Sequence, residues 1–466
     1  MKSLIIELNE KIKSGQTSVA DVYENAKKEL HKIDSTNANL AYADQITNTE
    51  LTDNVLSGIP YTLKDLVSTK GILTTGGSNI LKNYYPPYSA YIYEKLISAG
   101  ANLVCKANCD EYGMGGTGLH GLNGKVTNIL DSNRITGGSS SGSVVEVASG
   151  AVPFSIGTDT GDSVRAPASL MGLVGYKPSY GLFSRYGVIP FSPSLDHVGI
   201  ISKYVADAAI VAQCIAGYDE RDYTSQKIED TNFYKNLKTE ETINICIIKD
   251  IENYMQEGCK EAYLKCLQEL SAKYIVKEYT LDENILRALS PTYMAISYAE
   301  ACSCHSNKTS IPFGVYAGGH GYDEVITKAR SAGFGDQVKR RFTIGAYITK
   351  SENFEKIFQK AKKVRTIIIN EFNAMIKHND CLLLPAHSMV APLISDVEGG
   401  NVPSEWSLGV DPLMIANFAG TPSITIPYTK VDGLPFGINI TTKQFEDQKM
   451  FNIALTLEES LGGQNE

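Results

Sequence analysis

The chain has 466 residues, a net charge of −9 from 43 lysines and arginines against 52 aspartates and glutamates, and a 43% hydrophobic content. That length can bury a large core, either as one big α/β domain or as two or three average ones. The acidic balance, the lack of any basic run and the lack of an apolar run of membrane-spanning length argue against a chain that grips nucleic acid alone or crosses a bilayer.

Nine cysteines without a CxxC pair make no disulfide framework and point to a reducing compartment. Cys302 and Cys304 stand beside His305. They lack a second ligand pair at zinc-site spacing, so no metal is expected.

In chain order, residues 1–30 mix acids and lysines around an apolar stripe and predict one amphipathic helix. This start resembles neither a secretory signal nor an arginine-rich transit peptide, so a cytoplasmic location is expected, with the mitochondrial matrix as the alternative after loss of a presequence. The segment Gly58–Asp65 (GIPYTLKD) is a short apolar run ending in Lys64. Burial would lower the pKa of that lysine towards a general base, whereas at a strand end on the surface it would have no such role. A helix over Ala90–Ala99, closed by Gly100, precedes a strand over Asn102–Lys106.

The stretch Gly137–Arg165 (GGSSSGSVVEVASGAVPFSIGTDTGDSVR) places two serine clusters among glycines on either side of an apolar segment. It reads as a helix over Ser143–Ser149 and a strand over Val152–Ile156 between two serine loops. A serine hydroxyl becomes a nucleophile when a base takes its proton and backbone N–H groups hold the oxyanion, and glycines allow that close approach. The plainer reading is a pair of Gly/Ser loops. Gly138–Gly142 also fits GxSxG, centred on Ser140, but that elbow needs an apolar strand before it and Asp131–Thr136 is mostly polar. Further strands are expected at Ile243–Ile248, Cys381–Leu384, Ser423–Pro427 and Phe436–Ile440, and helices at Gly258–Lys273 and Phe354–Ile376. The charged stretch from about Asp219 to Lys350 reads as a lid or insertion over the sheet.

Together the two serine loops and the upstream lysine resemble the amidase signature family. The resemblance implies a single domain over residues 1–466, built as a large mixed β-sheet covered by helices on both faces. The family's catalytic lysine falls on Lys64, its bridging serine on Ser139 and its nucleophile on Ser163, with the family's 24-residue step between the two serines. Backbone N–H groups of Thr160, Gly161, Asp162 and Ser163 would hold the oxyanion.

Within the family the chain is similar to the A subunits of glutamyl-tRNA(Gln)/aspartyl-tRNA(Asn) amidotransferases. Asp110–Gly115 (DEYGMG), Lys177–Gly187, Ser194–Gly199 (SLDHVG), Gly333–Arg341 (GFGDQVKRR) and Asn417–Gly420 (NFAG) carry that likeness. It implies glutamine as substrate, contacted by Tyr293, Arg341 and an aspartate. The aspartate's aligned place holds Val410, with Asp411 one position later. It also implies a B-type partner and a small C-type or equivalent subunit. The partner would contact the tRNA and carry ATP and Mg, this chain needing no cofactor. Two departures fall on the serine loops. Ser141 stands for a glycine, and Asp162 puts a carboxylate beside the expected oxyanion where the family has glycine, which would oppose catalysis.

Overall fold

The computed structural model describes residues 1–400 and 411–461, so Val410 lies outside the described residues. Strands β1 (Asn39–Tyr42), β2 (Pro60–Lys64), β3 (Asn102–Ala107), β4 (Phe154–Asp159), β5 (Val174–Lys177), β6 (His197–Ser202), β7 (Asn244–Ile248), β8 (Ile275–Tyr279), β9 (Cys381–Pro385), β10 (Ser423–Val431) and β11 (Leu434–Thr441) form one sheet. Their order across it is β1-β3-β2-β4-β6-β5-β10-β11-β9-β7-β8. The sheet is mixed: β2 runs parallel to β3 and β4, β7 parallel to β8 and β9, and β10 antiparallel to β5 and β11.

Every residue of β2, β3, β4, β6, β9 and β11 is buried. Strands that are apolar on both faces need a cover on both, and helices supply it. Leu103, Phe154 and Ile156 pack in one layer with Leu96, Ile210, Phe451 and Leu455, while Val104, Cys105 and Ile201 pack in another with Val144, Val147, Ala168 and Met171. The fold is thus α/β, a large mixed sheet between helices.

Most expected elements lie within a few residues of their places, and the exceptions have physical causes. The N-terminal stretch is two helices, Leu4–Lys13 and Val19–Lys32, not one. Gly15 breaks it at φ 75°, and Ser18 restarts it with a capping box closed by Asp21. Strand β10 runs past Pro427 to Val431, because the proline sits at a register shift against β11 where no ladder N–H is needed. The stretch from Asp219 to Lys350 supplies β7 and β8 at one end of the sheet as well as the helices Glu283–Cys304 and Asp336–Thr349.

Because β2, β3 and β4 are parallel, their carboxyl ends meet on one side of the sheet. Lys64 ends β2 and Asp159 ends β4. Open α/β sheets place ligand crevices beyond such strand ends.

Candidate active site

Lys64 is fully buried and surrounded by oxygen atoms. Its Nζ donates to Ser139 Oγ at 2.8 Å, Thr158 Oγ1 at 2.9 Å, Ser140 Oγ at 3.0 Å and the Thr158 carbonyl at 3.4 Å. Burial lowers its pKa to about 8, against the opposing pull of Asp110, Asp159 and Asp196. An amine with that pKa keeps an appreciable neutral fraction near physiological pH, and that fraction can act as a general base. The reading of Lys64 as a surface lysine is therefore excluded.

Ser139 and Ser140 lie just before the helix Ser141–Ala148, with the Gly138–Ser139 peptide in the cis form. Gly142 and Asn108 bring that helix start close to β3: the Gly142 N–H donates to the Asn108 carbonyl at 2.9 Å, and a Cβ on Gly142 would meet Asn108 backbone at 2.6 Å. Ser140 Oγ donates to the Thr158 carbonyl and accepts from Lys64, and the residue is fully buried. It has none of the setting of a nucleophile elbow, since no strand precedes it. Ser141 is fully buried.

The second serine loop follows β4. Arg165 fixes it from behind: its guanidinium grips Asp159 through two bonds of 3.0 Å and reaches the Gly161 carbonyl at 2.6 Å. The same group holds the Leu413 carbonyl at 2.8 Å and Asn417 Oδ1 at 2.6 Å, tying the segment after residue 411 to the loop. Burial favours a protonated Asp159, but the Arg165 charge and hydrogen bonds outweigh it and hold its carboxyl well below the usual range. Thr160 is turned away, its hydroxyl donating to Asp196 at 2.7 Å. The N–H groups of Thr160, Gly161, Asp162 and Ser163 bond to no described residue, which leaves four donors in one turn. Asp162 has negative φ, so the backbone itself does not demand glycine there. Ser163 Oγ has no hydrogen-bond partner among the described residues, and none joins it to Ser139.

In front of Ser163 is a cavity of about 220 Å³, sized for a small metabolite, since drug-sized ligands take roughly 300–1,000 Å³. Asp162, Ser163, Tyr293, Arg341, Asp411 and His387 are among the residues that line it. The Tyr293 ring lies over Gly161, where an added Cβ would come within 3.2 Å of it. Burial pushes the Tyr293 hydroxyl up, so it remains a proton donor. Arg341, on the helix Asp336–Thr349, has no carboxylate partner among the described residues; its guanidinium rests 5.2 Å from the Tyr298 ring and 5.9 Å from that of Phe191. Asp411 accepts the Leu413 N–H at 2.9 Å, and burial raises its pKa. Burial and the neighbouring Asp411 and Asp159 raise that of Asp162 well above the carboxylate range.

The structure therefore unites Lys64 and Ser139 by a hydrogen bond and gathers Asp162, Ser163, Tyr293, Arg341 and Asp411 around one cavity. Sequence reasoning missed Thr158, Arg165, Asp159 and Asn417, which position these groups. The buried Arg165–Asp159 spacing carried the only signal, a charged pair within six residues flanking the turn. No group of three or more metal-type ligands exists among the described residues, and His305 is instead packed against the rings of Tyr112 and Phe342.

The amidase family profile matches residues 18–451. The chain is 41% identical to the A subunit of the glutamyl-tRNA(Gln) amidotransferase of Mycoplasma genitalium, covering 98% of both chains. It is 43% identical to the Mycoplasma pneumoniae protein of the same name over 87% of this chain and 86% of that one. Among solved structures, the glutamyl-tRNA(Gln) amidotransferase A subunit of Thermotoga maritima superimposes with a TM-score of 0.79 at 31% identity, covering 96% of this chain and 95% of that one. With its matching profile, its full-length relatives and its buried lysine–serine site, the chain belongs to the amidase family.

Proposed function

We propose that this chain is the glutaminase subunit of a tRNA-dependent amidotransferase, hydrolysing glutamine with Lys64, Ser139 and Ser163. The observation that carries the reading is the buried, pKa-lowered Lys64 bonded to Ser139 behind a small cavity lined by Ser163 and by Arg341, which has no carboxylate partner among the described residues. Its relatives' names supply the tRNA and the amide acceptor.

In this mechanism neutral Lys64 takes the Ser139 proton, Ser139 takes that of Ser163, and Ser163 Oγ attacks the carboxamide carbon of glutamine. The N–H groups of Thr160, Gly161, Asp162 and Ser163, without partners among the described residues, stabilise the oxyanion. As the carbon–nitrogen bond breaks, the proton returns through Ser139 to the departing nitrogen, releasing ammonia and leaving a γ-glutamyl ester on Ser163. Water then attacks the ester with the same relay as base, and glutamate leaves. The Arg341 guanidinium suits the α-carboxylate, which it can grip with two hydrogen bonds.

The ammonia passes to a B-type partner, with a small C-type or equivalent subunit completing the assembly. ATP and Mg act at the partner, which binds the Glu-tRNA(Gln) or Asp-tRNA(Asn), in keeping with the acidic charge of this chain. No helix among the described residues is long and apolar enough to cross a membrane, and a cytoplasmic site of action fits the nine free cysteines. The test is ammonia release from glutamine by the chain alone and with its partners and misacylated Glu-tRNA. Stimulation by partner and tRNA supports the reading. Hydrolysis of other small amides but not of glutamine would replace it with a free-standing amidase.

A further inference from the structure

We infer that Asp162 is a specificity-determining contact, forming with Asp411 a two-carboxyl clamp for the α-ammonium group of the substrate. The inference rests on the glutaminase reading and explains a residue that otherwise speaks against it. Asp162 and Asp411 line the same small cavity as Arg341. No described residue donates a hydrogen bond to the Asp162 carboxyl, and among those residues Asp411 accepts only the Leu413 N–H. A guanidinium with no carboxylate partner among the described residues and two under-bonded carboxyls around one cavity complement a zwitterion, with its carboxylate on Arg341 and its ammonium between the aspartates.

Charge balance fits this arrangement. The titratable and charged groups around the pair are Lys64, Asp159, Arg165, Tyr254, Tyr293, Arg341 and His387. Arg165 is already committed to Asp159, and burial keeps His387 neutral at physiological pH. Two buried carboxyls lining one cavity disfavour joint ionisation, so the empty pair retains a proton. An arriving ammonium takes the place of that proton, which leaves to solvent. The net charge of the pair beside the oxyanion is therefore unchanged, while the ammonium gains charge-assisted hydrogen bonds to both carboxylates. An amide without the α-amino group leaves the proton on the pair and gains none of these contacts.

The test compares glutamine with glutaramate, the same amide lacking the α-amino group, using the chain assembled with its partners. In Asp162→Gly and Asp162→Asn, the ratio of kcat/KM for glutamine to that for glutaramate should fall about tenfold or more, as loss of a hydrogen bond to a charged group implies. Calorimetry in two buffers of different ionisation enthalpy, with the Ser163→Ala chain, should detect proton release on binding glutamine and none with glutaramate. A ratio that stays constant or rises, with glutamine still hydrolysed, overturns the clamp and leaves the glutaminase reading standing. A wild-type assembly that turns over no glutamine overturns both.

Discussion

Ser140→Ala removes one of the four acceptors around Lys64, the hydroxyl at 3.0 Å. A hydrogen bond to a charged group contributes roughly 1.5–3 kcal/mol, and one pKa unit corresponds to about 1.4 kcal/mol. The bond favours the ammonium form, so its loss lowers the Lys64 pKa from about 8 by roughly one unit, the three remaining acceptors limiting the shift. Only the neutral amine can take a proton, so activity rises with pH through that pKa. The assay is kcat/KM for glutamine across pH. Wild type should show an acid limb near pH 8, and Ser140→Ala a limb about one unit lower with a modestly reduced plateau. An acid limb that does not move, or moves up, refutes the role given to Ser140. Abolished activity at every pH would make Ser140 the nucleophile and refute the triad as well.

Other outcomes follow from the same contacts. Arg341→Ala should raise KM for glutamine roughly 10- to 100-fold with a much smaller change in kcat, since its grip on the carboxylate is common to ground and transition states. Arg165→Met leaves Asp159 buried without its partner and should cost roughly 3–5 kcal/mol in chemical denaturation. Glu146 is fully buried beneath the first serine loop without a hydrogen-bond partner among the described residues, and burial raises its pKa well above the usual range. Its folded state holds the proton more tightly than the unfolded chain does, so stability is full at low pH and lost as pH rises through the folded pKa. Glu146→Gln should therefore unfold at the same urea concentration as wild type at pH near 4 and at a higher one at alkaline pH; an equal offset at both would refute this.

What the sequence made legible is what local chemistry encodes. Asn244–Ile248 declares a strand through its three isoleucines, and Gly100 ends its helix at φ 85°, where a Cβ would strike Ser57. The family's motifs gave Lys64 and both serines their positions. The rest depends on contacts between distant parts of the chain. Nothing near Arg165 announces Leu413 or Asn417, about 250 residues away, as its partners. The meeting of Asp162 with Asp411 is equally invisible until the loops fold over β4. Read locally, Asp162 is an obstacle; beside Asp411 and Arg341 it becomes part of a charge-balanced pocket. In the sequence Ser140 looks dispensable, because its hydroxyl serves Lys64, 76 residues upstream, and not the substrate.

The central claim is that Ser163 carries the acyl group. The most direct measurement is to mix the assembled enzyme with glutamine, quench in acid during turnover and map the modified peptide by mass spectrometry. A γ-glutamyl adduct on Ser163, absent from Ser163→Ala and from Lys64→Ala, is the predicted result. An adduct on Ser139 or Ser140, or wild-type glutamine hydrolysis by Ser163→Ala, would contradict it.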